Sequence, residues 1–115
     1  MSDARGRNWS LYVSDMASFA ENVVRYTAGM TQTQFVADRK TFDATVRNLE
    51  LIGEAASRIP ENVRVANAHI SWRQIIATRN RLIHGYLGID NDILWSIITV
   101  DVPAMIEGLR LLRSA

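Results

Sequence analysis

The chain has no cysteine, which removes disulfides and thiolate metal sites from consideration. It has two histidines, too few for the usual imidazole sites, so neither a metal nor another cofactor is expected. It also lacks a surplus of either charge: 13 Lys and Arg face 12 Asp and Glu, a net charge of +1. Bulk attraction to nucleic acid is thereby excluded, and contact with a polyanion has to come from local clustering. No apolar run reaches the length of a membrane span, and residues 1–7 contain no apolar signal core. The expectation is a cytoplasmic protein with no membrane contact. Proline occurs twice and glycine six times, so few points break regular structure.

What remains is a chain of 115 residues, 48% hydrophobic and 22% charged, which fits one globular domain over residues 1–115. Its apolar residues recur at helical spacing, with no convincing strand. A first helix is expected over about 8–28, where Leu11, Met16, Phe19, Ala20 and Val23 form one stripe ending before Gly29. Thr31 and Gln34 make a capping box for a long second helix over about 32–59, in which Phe35, Phe42, Leu49 and Ala56 repeat every seven residues. Pro60 ends it and opens a short turn, and residues 67–69 read as connector. Ser71 with Gln74 is a second capping box, opening a helix that should stop before Gly85 at its C′ position. Asp90 or Asn91 caps a last helix over about 91–113, which Pro103 should kink or split near 99–103.

The chemistry is concentrated in residues 79–86, Arg-Asn-Arg-Leu-Ile-His-Gly-Tyr. Arg79 carries a permanent charge and a fork of donors suited to phosphate. His84 has an ordinary pKa suited to proton transfer near neutrality. Together they are the least equipment that breaks a phosphodiester without a metal: one steadies charge, the other moves a proton. Arg73, Arg79 and Arg81 form a small basic surface in a stretch with no acidic residue between Glu61 and Asp90. A competing reading makes the same residues a helix C-terminal cap, with cations placed against the negative end of the dipole. Spacing also raises a difficulty. Five residues of ideal helix turn Arg79 and His84 about 140° apart. They meet at one phosphate only if the helix ends near Gly85 or if two subunits contribute.

Other residues carry paired readings. Asn80 orients phosphate or His84, or is a neutral surface residue. Tyr86 supports the site, or packs its ring and leaves its hydroxyl wet. Glu50 and Glu54 lie one turn apart, where either holds an arginine of the 79–86 helix or belongs to a solvated acidic face. Asp101 shares a stripe with Leu94, Ile98 and Met105 and is expected to be structural and partly buried. His69 sits in a connector, and Trp9, Trp72 and Trp95 read as core or interface anchors.

The order Arg79, Asn80, His84, Tyr86 resembles the signature of the HEPN superfamily, and the His-x-Tyr ending that of its HepT-like branch. Arg47-Asn48-Leu49-Glu50-Leu51-Ile52-Gly53-Glu54-Ala55, Ser71-Trp72-Arg73-Gln74-Ile75 and Asp101-Val102-Pro103 resemble further stretches of that family, so the match spans about residues 11–110. The resemblance implies an all-α, up-and-down bundle of four to five helices that dimerises. It implies a metal-independent ribonuclease toxin of a type VII-like toxin–antitoxin system, with Arg79 and His84 catalytic, Asn80, Tyr86 and Glu54 supporting, and Arg73 and Arg81 on the RNA. Its partner would be an MNT-type nucleotidyltransferase antitoxin that silences the toxin by transferring AMP to Tyr86. The alternative is a catalytically silent helical docking partner of such a nucleotidyltransferase.

Overall fold

The structure is a computed structural model that describes residues 8–85 and 88–112. All regular structure among them is helical: α1 (Trp9–Thr27), α2 (Gln32–Ala37), α3 (Arg39–Ser57), α4 (Glu61–Ala66), α5 (Trp72–Gly85), α6 (Asn91–Ser96), a π-helical turn (Ile97–Asp101) and α7 (Val102–Arg110). α6, the π turn and α7 run on as one compound helix. Four long helices, assisted by the short α2 and α4, therefore make the bundle, as the apolar periodicity requires.

Local chemistry sets the boundaries. Asn8 caps α1 through its side chain, and Gly29, at φ 76°, takes the left-handed position that ends it. The Thr31–Gln34 capping box forms in full, with the Gln34 side chain accepting from Thr31 N at 2.9 Å. Asp90 caps α6, its Oδ1 accepting from Asp92 N at 2.7 Å.

The expected second helix over 32–59 is broken. Asp38 leaves helical geometry at φ −91°, ψ 89°; its N–H closes α2 on Gln34 and Phe35, and its carboxylate caps α3 at Thr41 N, 3.1 Å away. The Phe35/Phe42 repeat that suggested one helix is served instead by the bend. Across it their rings stand with centroids at 5.1 Å, and Trp95 joins Phe35 at 5.3 Å.

Two smaller expectations are also corrected. Gln74 donates to Asp101 Oδ2 at 3.2 Å, tying α5 to the π turn rather than turning back as a capping-box side chain. Gly85 is the last residue of α5 and does not have a positive φ, so it is not a left-handed C′ glycine. The split expected near residues 99–103 takes the form of a π turn just before Pro103. The π turn at Ile97–Asp101 widens the hydrogen-bond register, Val102 N reaching back to Ile97 O, and Pro103 then sits in the first turn of α7, where a missing N–H costs nothing.

α3 is the central element, packed along α1 on one side and α5 on the other, while α7 and the π turn close against α1. Met16, Ala20 and Val23 of α1 meet Val46, Leu49, Ile52 and Ala56 of α3, with Leu82, Leu94 and Ile98 completing the core, all buried. Each fully buried large aliphatic contributes ~1.5–3 kcal/mol by removal from water. Polar contact at this seam includes Asn22, which donates to Asn48 Oδ1 at 3.1 Å, while Asn48 donates to Ala44 O at 2.9 Å. No helix among the described residues is long and apolar enough to cross a membrane.

Candidate active site

The site begins with the two helices that carry it. α5 is anchored at its start by Trp72, whose indole N–H donates to Asn67 O at 3.0 Å, and near its end by fully buried Leu82. Between them it presses on α3 at Gly53. A Cβ placed there would lie 2.1 Å from Arg79 Cβ, so only glycine lets the helices approach this closely.

This contact lays the stem of Arg79 across α3 and delivers its guanidinium to the next residue, Glu54. Arg79 Nη2 donates to Glu54 Oε1 at 2.6 Å, and Nη1 donates to Asn80 Oδ1 at 2.9 Å. Its Nε is buried without an acceptor among the described residues, so the two Nη atoms make the attachments. The other oxygen of Glu54 accepts from Arg58 Nη2 at 3.0 Å. Glu54 is held below the ordinary carboxylate range, chiefly by the Arg58 hydrogen bond; partial burial opposes this and the Arg79 charge adds to it. Two cations share one carboxylate, so the trio keeps a net positive charge and can still attract an anion. Glu50, the other acidic candidate, pairs within its own helix to Arg47 at 3.2 Å.

His84 is exposed in the last turn of α5 and makes no hydrogen bond or ion pair with a described residue. Asn80 lies one turn before it and Arg73 two turns before Asn80, so the three fall on one exposed face. Arg81 is exposed to one side of that face. The 140° separation of Arg79 and His84 is thus partly bridged by Asn80, which shares a face with the histidine while accepting from the arginine. Tyr86 lies outside the described residues. Among those residues no group of His, Asp or Glu is arranged to hold a metal ion.

The remaining candidates have structural partners. His69 Nε2 is 3.0 Å from Gly108 O, fastening the connector to α7, and Asp101, half-buried, accepts from Gln74. A cleft lined by Ile75, Thr78, Ile97 and Asp101 runs between α5 and the π turn, but none of Arg79, Asn80 or His84 lines it. Arg58 was missed in the sequence. Its signal was the Glu54/Arg58 spacing of four, a common helical ion pair that gives no hint of a link to α5.

An arginine fixed at a helix crossing, an amide beside it and an exposed histidine on the same helix are the groups whose order resembles the HEPN signature. The match is wider than the site, because the model of the ribonuclease HepT-like family covers residues 16–112. The chain belongs to the HepT-like ribonuclease family. It is 35% identical over 94 residues to a Thermococcus cleftensis protein named "Probable ribonuclease HepT", covering 82% of this chain and 86% of the relative. Two Methanocaldococcus jannaschii proteins, provisionally named RNases, are 34% and 33% identical over 99 and 97 residues. These matches cover 86% and 84% of this chain, and 82% and 89% of those relatives. No solved structure matches the chain. Ribonuclease activity is therefore the function of the HepT-like family to which these helices belong, and α3 and α5 carry its candidate residues.

Proposed function

We propose that this protein is a metal-independent endoribonuclease toxin of a toxin–antitoxin pair, acting in the cytoplasm as a homodimer of single-domain chains. Attack of a ribose 2′-oxygen on the adjacent phosphorus forms a 2′,3′-cyclic phosphate and breaks the bond to the 5′-oxygen. His84 accepts the 2′-OH proton or supplies one to the departing 5′-oxygen. Arg79 stabilises the charge gathering on the phosphoryl oxygens. Asn80 orients the phosphate, while Arg73 and Arg81 hold flanking backbone. The observation that carries this reading is the state of the two principal side chains. Arg79 is fixed by Gly53, Glu54 and Asn80, and His84 is exposed with its ring free of described partners.

Control follows from Tyr86, two residues beyond His84. An AMP group on its hydroxyl places a bulky anion beside the site, repelling substrate phosphate and blocking its approach. A nucleotidyltransferase antitoxin is the partner that would add it. The test is cleavage of RNA by the purified protein in excess EDTA, before and after treatment with its nucleotidyltransferase and ATP. Cleavage that survives chelation and stops when AMP is found on Tyr86 is expected. Loss of cleavage on chelation overturns the metal-free mechanism. AMP on Tyr12 or Tyr26 instead favours the docking-partner alternative.

A further inference from the structure

Arg58 stands at the end of α3, outside the 79–86 signature, and donates from Nη2 to Glu54 Oε2, the oxygen that Arg79 does not hold. The two arginines each hold one oxygen of the same carboxylate, at 3.0 Å and 2.6 Å. A carboxylate held at one oxygen only can rotate; held at both, it presents Oε1 to Arg79 in one orientation. Arg58 is itself influenced by Tyr12 of α1, which with Glu54 favours its charged form. The contacts therefore run from α1 through Arg58 and Glu54 to Arg79 and on to Asn80.

We propose that Arg58 is a positioning residue for RNA cleavage, fixing the Glu54 carboxylate so that Arg79 presents its guanidinium toward Asn80 and the substrate phosphate. This rests on the ribonuclease reading above. Arg58 touches no reacting atom; it acts through Glu54. Its side chain is 57% exposed, and an exposed i,i+4 ion pair adds little to stability, so loss of this pair should leave the melting temperature nearly unchanged. Misplacing a charge-stabilising group by even about an ångström can cost up to ~100-fold in rate, so a loss of about tenfold is reasonable for a loosened guanidinium. The groups facing Glu54 are Arg58 from its own helix and Arg79 from α5, with Tyr12 of α1 beyond Arg58. Removing Arg58 removes the largest influence holding the carboxyl low, so Glu54 should then titrate at higher pH.

The experiment uses the full chain as parent, Arg58→Ala and Arg58→Lys. Two quantities are measured: kcat and KM on one RNA substrate, and the titration of Glu54 by carboxyl NMR. For Arg58→Ala the expected result is an unchanged melting temperature, kcat lower by about tenfold with KM nearly constant, and Glu54 titrating at higher pH. Arg58→Lys, which keeps the charge and one donor, should recover part of both. An unchanged kcat overturns the proposal even if the titration moves, and an unchanged Glu54 titration overturns it even if kcat falls. A parent protein that cleaves no RNA brings down the ribonuclease reading and this role with it. The Glu54 titration is independent of that outcome and still shows whether Arg58 holds the carboxylate.

Discussion

Arg79 rests on Gly53: a Cβ at position 53 would stand 2.1 Å from Arg79 Cβ, 2.7 Å from its Cγ and 3.2 Å from Ile75 O. The backbone carbonyl cannot swing aside as a long side chain can, so α5 must move if position 53 grows. Gly53→Ala tests this directly. Alanine gains ~1 kcal/mol of helix propensity over glycine, but overpacking at a tight contact costs ~1–3 kcal/mol or more. With backbone and side-chain atoms both in the way, the clash wins. Urea denaturation should show a lower midpoint for Gly53→Ala, and RNA cleavage should fall with it because Arg79 is displaced from Glu54. A midpoint at or above the parent's would mean that the helices are not held together at this point.

Asp38 predicts a pH effect confined to folding. Its carboxyl is held below the ordinary aspartate range, first by the backbone N–H of Thr41 and then by the Thr41 side chain. A folded pKa below the unfolded one gives stability that is complete above the unfolded value and is lost as pH falls through the folded value. Asp38→Asn keeps an acceptor for Thr41 N but cannot titrate. The melting temperature of the parent should exceed that of the variant at neutral pH, and the gap should close as pH falls below the ordinary aspartate range. Cleavage should be unaffected, since Asp38 lies at the α2–α3 bend.

The shared-site idea has its own check. Arg79→Ala and His84→Ala chains, each inactive alone, are mixed, unfolded and refolded together. If one active site takes Arg79 from one protomer and His84 from its partner, mixed dimers carry one intact site and cleavage returns. If each site lies within one protomer, the mixture stays inactive. The angle between the two residues on one helix motivates the first outcome.

Much of this was legible in the sequence because helix periodicity and caps are local. Thr31 with Gln34, Gly29 and Asp90 act where their residue types lead one to look, whereas the Asn8 cap emerged only with the structure. The break at Asp38 was hidden because Phe35 and Phe42 keep a heptad spacing that a continuous helix would also produce. Ser71 and Gln74 fit a capping box, yet the longer-range partner Asp101, 27 residues away, wins the Gln74 amide. The π turn has no composition of its own; only Pro103 hinted that the register would change. At the site, Arg79, Asn80 and His84 stood out by residue type. Glu54 was visible as a candidate partner, and the packing puts the close approach at Gly53. What the sequence could not settle was which acidic residue Arg79 meets, because Glu50 and Glu54 differ by one helical turn and only the α3–α5 packing separates them.

The central claim is that Arg79 and His84 act as one unit on one phosphodiester. The measurement closest to it is the single-turnover rate on a defined RNA for the parent, Arg79→Ala, His84→Ala and the double variant, with helicity checked for each. Each single variant should lose at least ~100-fold, the scale of proton-transfer or charge-stabilising catalysis. The double variant should be little slower than the worse single one, as for residues that act together. A folded His84→Ala protein that cleaves as fast as the parent, or losses that simply multiply in the double variant, would contradict the account.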